Sequence, residues 1–221
     1  MYRLPWADRL AAVASLTDAK RLQLFELVAA SPRPVGRDEV AESAGMARST
    51  ASFHLDRLVQ DGLLAVEFHK PAGRVGPGSG RPAKMYRTVG GEVGASVPDR
   101  NYDLAGELMA AAIEASQGEG SPVGESLRAG AFAKGRELAE RAGGLEEFLT
   151  EAGYQPQPDG DGGFLLINCP FHRLSRSHAA VVCDMNGAFL RGAAAGCGSD
   201  EGCVAAVSGP GHCCARITAG R

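Results

Sequence analysis

Apolar residues recur at helical spacing in three segments within the first 60 residues, and each segment is followed by proline or glycine. Such spacing predicts helices, and the residues that follow end them. We expect one helix from an N-cap at Thr17 to about Ala30, a second from Asp38 to Ala44, and a third from about Arg48 to Gln60. The expected apolar positions are Leu22, Leu24, Phe25, Val28 and Ala29 in the first helix, and Ala51, Leu55, Leu58 and Val59 in the third.

Two predicted strands joined by a long loop follow the third helix. Leu63–His69 alternates loosely between apolar and polar residues, and Ala83–Thr88 has the pattern of the returning strand. The loop between them, Pro71–Pro82, contains four glycines and three prolines. Three short helices followed by such a hairpin are the elements of a winged helix-turn-helix domain, in which the hairpin is the wing.

The rest of the chain predicts a mixed α+β domain, so the whole is an α+β protein. We assign residues 1–90 to the winged helix-turn-helix domain, 91–101 to a linker and 102–221 to a C-terminal dimerisation and sensor domain. The expected helices of the C-terminal domain are Tyr102–Ser116, Val123–Ala142, Leu145–Ala152 and Ala180–Ala195, and its expected strands are Gly162–Ile167, Val204–Val207 and Cys213–Thr218. In its last helix, Val182, Met185, Phe189 and Ala193 share one face, which predicts that they are buried.

Charge is distributed unevenly along the chain. Residues 1–90 hold 13 Lys and Arg against 9 Asp and Glu, whereas residues 91–221 hold 10 against 17. A basic N-terminal part favours a polyanionic partner for that part alone. The predicted solvent side of the third helix carries guanidinium groups and short hydrogen-bonding side chains, the groups that read base edges in the major groove. These candidate DNA-binding residues are Arg48, Ser49, Thr50, Ser52, His54 and Arg57.

The predicted wing adds further basic residues. Between Lys70 and Arg87 the chain has five Lys and Arg and no Asp or Glu. Cationic side chains on a flexible hairpin suit contacts with phosphates or with the minor groove. We therefore add Arg74, Arg81 and Lys84 to the DNA-binding set and predict double-stranded DNA as the partner of this domain. The N-cap position of the third helix is Ala47, which is a poor capping residue.

All six cysteines lie in the last quarter of the chain, at Cys169, Cys183, Cys197, Cys203, Cys213 and Cys214. No apolar run approaches the roughly 20 residues of a membrane span, and the N-terminus lacks the pattern of a signal peptide. We therefore expect a cytoplasmic protein, in which disulfides are mostly reduced. Thiolates concentrated in one segment then favour a single chemical site, which is an iron–sulfur cluster, a zinc site or a thiol switch.

Geometry restricts which cysteines can share a site. Cys183 and Cys197 are 14 residues apart, which in one unbroken helix is about 21 Å, too far for both to ligate one group. Cys213 and Cys214 are neighbours on a predicted strand and should face opposite sides, with Cys213 on the apolar side. The expected ligands are Cys169, Cys183 and Cys213, with Cys214 as the substitute. Cys197 and Cys203 are expected to be small buried hydrophobic side chains.

Two groups of motifs resemble a known family. Thr50-Ala51-Ser52-Phe53-His54-Leu55, Asp61-Gly62-Leu63-Leu64 and Gly80-Arg81-Pro82-Ala83-Lys84-Met85-Tyr86-Arg87 resemble the ArsR-type winged-helix repressors. Asn168-Cys169-Pro170-Phe171-His172, Val182-Cys183 and Cys213-Cys214-Ala215-Arg216-Ile217 resemble the C-terminal sensor of the Suf-operon repressors, the winged-helix branch that senses iron–sulfur clusters. The resemblance extends from about Thr17 to Ile217.

The resemblance implies a homodimer in which three cysteines of each subunit hold an iron–sulfur cluster, which we expect to be 4Fe-4S rather than 2Fe-2S. The cluster-loaded protein would repress the genes for cluster assembly, and its operator affinity would respond to redox state, nitric oxide or iron status. Three cysteines leave one iron for another ligand. His172, His178 and His212 are the candidates for that ligand.

Two alternatives to the cluster stay open, and an enzyme is a third. A zinc site or a thiol/disulfide switch would use the same cysteines, although the chain lacks the paired C-x₂₋₄-C ligands of most structural zinc sites. A cysteine-dependent enzyme is the more distant alternative. The sequence has no phosphate-binding loop, no Gly-x-Ser-x-Gly turn and no metalloprotease histidine pair. We therefore expect a regulator that is not an enzyme and has no small-molecule substrate.

Overall fold

The computed structural model describes residues 4–69, 82–90, 92–207 and 213–219. The chain divides into two compact units, Met1–Ala95 and Ser96–Arg221. The division falls inside the segment 91–101 that the sequence predicts as a linker. Among the helices in the described part of the chain, none is long and apolar enough to cross a membrane.

The N-terminal unit is a winged helix-turn-helix, as the sequence predicts. Its helices are α1 (Trp6–Ser15), α2 (Ala19–Ala29), α3 (Arg37–Ser43) and α4 (Arg48–Gln60), and its strands are β1 (Val35–Gly36), β2 (Leu64–His69) and β3 (Ala83–Thr88). The strands form an antiparallel sheet in the order β1-β3-β2, with Val35 opposite Tyr86 and Leu64 opposite Thr88. The predicted third helix is confirmed at both ends as α4, whereas α1 and β1 were not predicted.

The start of α2 differs from the prediction by one residue. Asp18, not Thr17, is the N-cap, and its carboxylate accepts hydrogen bonds from the backbone N–H groups of Lys20 and Arg21. The Thr17 hydroxyl instead donates to Ala14 O at the end of α1. Thr17 therefore belongs to the end of a helix that the sequence analysis missed, and the neighbouring acid takes the capping position.

The buried face of α2 also differs from the predicted stripe. Leu24 and Val28 are fully buried, whereas Leu22 is 39% exposed and Phe25 is only partly buried. The orientation follows from packing, because α2 contacts α4 and two residues one helical turn apart suffice to fill that contact. On α4 the predicted row is confirmed for Ala51, Leu55 and Leu58, which are fully buried, and Val59 packs at its edge.

The C-terminal unit is mixed α+β, as predicted. Its helices are α5 (Tyr102–Glu119), α6 (Val123–Ala139), α7 (Leu145–Glu151), α8 (His172–Ser177) and α9 (Ala179–Gly196), with a short 3-10 turn at Glu201–Cys203. Its strands are β4 (Pro156–Pro158), β5 (Phe164–Leu166), β6 (Val204–Ala206) and β7 (Ala215–Ile217), arranged antiparallel in the order β4-β5-β7-β6. The buried row of α9 is confirmed, whereas β4 and α8 were not predicted.

Helices α6 and α9 contact each other through their backbones. A Cβ atom placed on Gly135 of α6 would lie 2.0 Å from the carbonyl oxygen of Phe189, and one on Gly192 of α9 would lie 2.0 Å from that of Phe132. Real Cβ atoms do not approach oxygen so closely, so any other residue at these positions would force the two helices to shift. The distance between packed helices is set by the side chains at their contact, and at these two points glycine leaves none.

We predict that Gly135→Ala destabilises the C-terminal unit although alanine is the better helix former. The added methyl must push α9 away, which should lower the free energy of unfolding by about 1–3 kcal/mol. Gly130→Ala, on the same helix with open space around it, is the matched control and should raise it by about 0.5–1 kcal/mol. Urea denaturation followed by circular dichroism measures both. Equal stability of the two variants would contradict the backbone contact.

Candidate nucleic-acid interface and candidate metal centre

Helix α4 presents most of the predicted DNA-binding residues on one exposed side. Arg48, Ser49 and Arg57 are exposed, and Thr50 and Ser52 are partly exposed. The helix begins without a side-chain cap at Ala47, as expected. Its first turns, where base edges are read, therefore carry a guanidinium and small hydroxyl groups in contact with solvent.

The cations of this surface are paired with acids of the same unit. Arg48 Nε lies 2.7 Å from Asp38 Oδ1, and Arg57 Nε lies 3.0 Å from Asp61 Oδ2. Lys84 on β3 pairs with Asp56 of α4. The Arg48–Asp38 and Lys84–Asp56 pairs are exposed on both sides. Such pairs contribute about 0–1 kcal/mol, so DNA phosphates can take the place of these two acids.

The prediction that His54 lies on the solvent side of α4 is wrong. His54 is only 7% exposed. Together with the buried residues Ala51, Leu55 and Leu58 it forms the spacing i, i+3, i+4, i+7, in which His54 is the i+3 position. This spacing places it on the core side of the helix. The apolar periodicity of α4 therefore indicates that His54 is buried. His54 was assigned to the solvent side because its side chain is polar.

The predicted wing contacts are only partly described. Lys84 is an exposed residue of β3, whereas Arg74 and Arg81 lie outside the described residues. Three residues that the sequence analysis did not select, Arg37, Phe53 and Asp56, contribute to the α4 surface. A concavity there is lined by Arg37, Arg48, Ser49, Ser52, Phe53 and Asp56, and Arg37 Nη1 donates to Ser52 Oγ at 3.5 Å.

In the C-terminal unit, the four cysteines predicted as ligands come together. The thiols of Cys169 and Cys213 are hydrogen-bonded to each other, as are those of Cys213 and Cys214 and those of Cys214 and Cys183. We call Cys169, Cys183, Cys213 and Cys214 the thiol cluster. Cys169 and Cys213 are buried, and Cys183 and Cys214 are partly buried.

Three elements carry the thiol cluster. Cys183 lies in the second turn of α9, Cys169 follows β5, and the Cys213–Cys214 pair precedes β7. The backbone N–H of Cys213 donates to Leu166 O on β5 at 2.7 Å. The buried side-chain amide of Asn168 donates to Asp99 O and Gly153 O, which fixes the loop before Cys169.

Asn186 connects α9 to the two adjacent cysteines. Its Nδ2 lies 3.2 Å from Cys213 Sγ and 3.9 Å from Cys214 Sγ and donates to both. Its Oδ1 accepts a hydrogen bond from the hydroxyl of Tyr154. Both Asn186 and Tyr154 are completely buried. A buried amide with its donor and acceptor satisfied fixes the position of both sulfur atoms.

The prediction that Cys213 and Cys214 face opposite sides of a strand is wrong. Strand β7 begins only at Ala215, so the alternation of a strand does not apply to the two residues before it. Both sulfur atoms are within reach of the same amide. Cys214 is therefore a full member of the thiol cluster rather than a substitute for Cys213.

Cys197 and Cys203 lie away from the thiol cluster. Helix α9 is unbroken from Ala179 to Gly196, so Cys183 and Cys197 are about 21 Å apart along it, as the sequence analysis expects. Cys203 lies at the far end of the β6–β7 pair, where its carbonyl accepts from Thr218 N. Of the candidate histidines, His172 and His178 are exposed, and His212 lies outside the described residues.

Hydrogen bonds within the thiol cluster divide its members by acidity. The hydrogen bond with Cys213 lowers the pKa of Cys169, and the N–H of Phe171 lowers it further. The same Cys169 contact raises the pKa of Cys213 to about 12, and burial raises that of Cys183 to about 12. The bond with Cys213 raises the pKa of Cys214. Cys169 is therefore the member that most readily becomes a thiolate.

The four thiols do not surround a single point. In the described part of the chain, no group of three or more His, Cys, Asp or Glu side chains is arranged to hold a metal ion. Cys169 interacts electrostatically with Cys183 and Cys214 as well as with its hydrogen-bond partner Cys213. All four thiols therefore influence one another's protonation.

Comparisons with known proteins bear on the N-terminal unit. Residues 19–67 match the family model of the IclR helix-turn-helix domain. A similar solved structure is the solution NMR structure of a homodimeric winged helix-turn-helix DNA-binding domain from Mycobacterium bovis, described as a possible ArsR-family transcriptional regulator. It is 24% identical with a TM-score of 0.30 and covers 38% of this chain and 66% of its own. No curated protein matches the chain.

The family match covers α2 to β2, which are the helix-turn-helix and the first strand of the wing. Together with the winged-helix architecture, it defines this protein as a DNA-binding transcriptional regulator of the winged-helix type. The match does not extend to the C-terminal unit, so the thiol cluster has to be interpreted from its own chemistry.

We predict that Tyr154→Phe lowers the free energy of unfolding by about 1–3 kcal/mol, because it leaves the buried Asn186 oxygen without a donor. Tyr102→Phe is the matched control. The Tyr102 hydroxyl accepts one exposed hydrogen bond from Arg173 N, and its loss should cost less than about 0.5 kcal/mol. Thermal and urea denaturation measure both. Equal effects would show that Asn186 is not held by Tyr154.

We predict that Arg48→Ala weakens DNA binding at least about fivefold, as expected for a guanidinium that contacts a base or phosphate. Arg33→Ala is the matched control, because Arg33 has a similarly exposed side chain and a similar ion pair, with Glu39 at 2.6 Å, but lies outside α4. Fluorescence anisotropy with a duplex that the wild-type protein selects from a random library measures both. Equal losses would argue against α4 as the reading helix.

Proposed function

We propose that this protein is a homodimeric repressor of iron–sulfur cluster assembly genes whose operator affinity is controlled by an iron–sulfur cluster bound at the thiol cluster. The observation that supports this most directly is the convergence of Cys169, Cys183, Cys213 and Cys214 in the C-terminal unit of a DNA-binding regulator. The resemblance of the cysteine motifs to the Suf-operon repressors points the same way. The IclR match concerns the helix-turn-helix and leaves the ArsR-type assignment as part of this proposal.

The donor chemistry of the thiol cluster fits an iron–sulfur cluster. Cysteine thiolates are the usual ligands of such clusters, and hydrogen bonds to the sulfur atoms tune their potentials. Here Asn186 donates to Cys213 and Cys214, and backbone N–H groups of Phe171 and Ala215 donate to Cys169 and Cys213. Buried and partly buried thiols that already accept N–H donors are suited to this role.

The arrangement favours a cluster over a zinc ion. Most structural zinc sites use paired C-x₂₋₄-C ligands, and this chain has no such pair. Ligands of a cluster bind different iron atoms and so need not converge on one centre. We therefore infer a 4Fe-4S cluster held by Cys169, Cys183 and Cys213, with Cys214 as the candidate for the remaining iron.

The residues of this chain would prepare the site before loading. Cys169 has the lowered pKa and would offer a thiolate most readily, and the other three thiols would have to lose their protons on binding, so binding would strengthen with rising pH. Asn186 holds the Cys213–Cys214 pair against α9 throughout. An iron–sulfur cluster would supply a redox-sensitive and nitric-oxide-sensitive link between segments that are distant in sequence.

A reversible disulfide is the second candidate, and the contact between Cys169 and Cys213 favours it. A thiol of lowered pKa beside a second thiol is the arrangement from which disulfides form. Oxidation would then lock the loop after β5 to the segment before β7 without any metal. Mass spectrometry of peroxide-treated protein after thiol alkylation distinguishes this candidate from a cluster.

Cysteine-to-serine variants at all six positions test the ligand assignment. We predict that Cys169→Ser, Cys183→Ser and Cys213→Ser lose the cluster after anaerobic reconstitution, and that Cys197→Ser and Cys203→Ser, the matched controls, retain it. Iron content, visible absorption and Mössbauer spectra measure the outcome, and Cys214→Ser decides the fourth ligand. Loss of the cluster in Cys197→Ser with retention in both Cys213→Ser and Cys214→Ser would contradict the assignment.

A gel-shift titration with the selected duplex tests the regulatory part. Loaded protein should bind more tightly than cluster-free protein, with two recognition helices about one turn of DNA apart in the dimer. Light scattering at the same concentrations gives the oligomeric state. Equal affinities of the loaded and cluster-free proteins would rule out control by the cluster while leaving the DNA-binding assignment in place.

A further inference from the structure

Phe53 is a large apolar side chain on the side of α4 that reads DNA. Its exposed fraction is 66%, and it lies one turn after Ser49 and one turn before Arg57. Single exposed apolar residues are ordinary on protein surfaces. Phe53 differs from such residues by its place, because it projects from the first turns of the recognition helix, where base edges are contacted.

Phe53 is surrounded by polar side chains, and its ring rests on a neighbouring side chain. It lines a concavity with Arg37, Arg48, Ser49, Ser52 and Asp56. Its ring lies edge-to-face on the buried ring of His54, with 5.2 Å between the ring centroids. A ring that rests on a buried neighbour is oriented before any partner arrives, and ordering it on binding costs little entropy.

We propose that Phe53 recognises a thymine by packing against its C5-methyl group in the major groove. That methyl is the apolar group that base pairs present there, and phenylalanine is among the side chains that contact it. The hydroxyl and guanidinium groups around Phe53 face the hydrogen-bonding edges and phosphates on either side. This inference rests on the DNA-binding class of the protein and is independent of what the thiol cluster binds.

Replacing thymine with deoxyuridine tests this contact, because the two bases differ only by the methyl group. Full-length wild-type protein first selects duplexes from a random library, and each thymine of the selected site is then replaced singly. We expect wild type to lose about fourfold in affinity at one thymine of each half-site, the effect of exposing one methyl group. Phe53→Ala should bind thymine and uracil duplexes equally at that position.

Phe68→Ala is the matched control. Phe68 is an equally exposed phenylalanine, at 69%, but lies on β2 rather than on α4. Whatever it does to overall affinity, its thymine-to-uracil ratio should equal that of wild type. The proposal is overturned if wild type discriminates at no thymine, or if Phe53→Ala keeps the wild-type ratio at every position. Each thymine-to-uracil ratio compares the affinities of one protein sample for two duplexes. The test therefore stays valid even if an iron–sulfur cluster does not control DNA binding.

Discussion

The backbone contact between α6 and α9 is the constraint on which the C-terminal unit depends. At Gly135 and Gly192 the two helices approach so closely that no side chain fits between their backbones. Helix α9 carries Cys183 and Asn186, and Asn186 in turn holds Cys213 and Cys214. The helix that positions the thiol cluster is therefore itself held in place by close main-chain contact with α6.

In each unit one helix carries most of the candidate functional side chains. These side chains are exposed on α4 and mostly buried on α9. Helix α4 buries Ala51, Leu55 and Leu58 and turns its hydroxyl groups, guanidinium groups and Phe53 to solvent. Helix α9 instead directs Asn186 inward, where its amide meets sulfur rather than water. A reading surface has to be open to a large partner, whereas burial raises the pKa of the Cys183 thiol on α9 and keeps it protonated.

Helices with strong apolar periodicity are predicted accurately from the sequence. The positions of individual polar side chains are predicted less accurately. Arg48–Gln60 is confirmed at both ends because its buried row and the following glycine agree. The misassignment of His54 came from weighing polarity above spacing, and that of Thr17 from overlooking α1, whose end accepts the Thr17 hydroxyl. The position of Cys214 beside Asn186 could not be predicted. It depends on where β7 begins, which is Ala215, and on which side of α9 carries Asn186.

The internal ion pairs of the reading surface have a kinetic consequence for how such a protein finds its site in a genome. Each of Arg48, Arg57 and Lys84 already has an acid beside it, so a phosphate of arbitrary DNA must displace that acid and gains less from the contact than it would from an unpaired cation. Weak binding to non-specific DNA shortens the residence time at each non-specific site. The competing excess of genomic DNA then sequesters less of the protein.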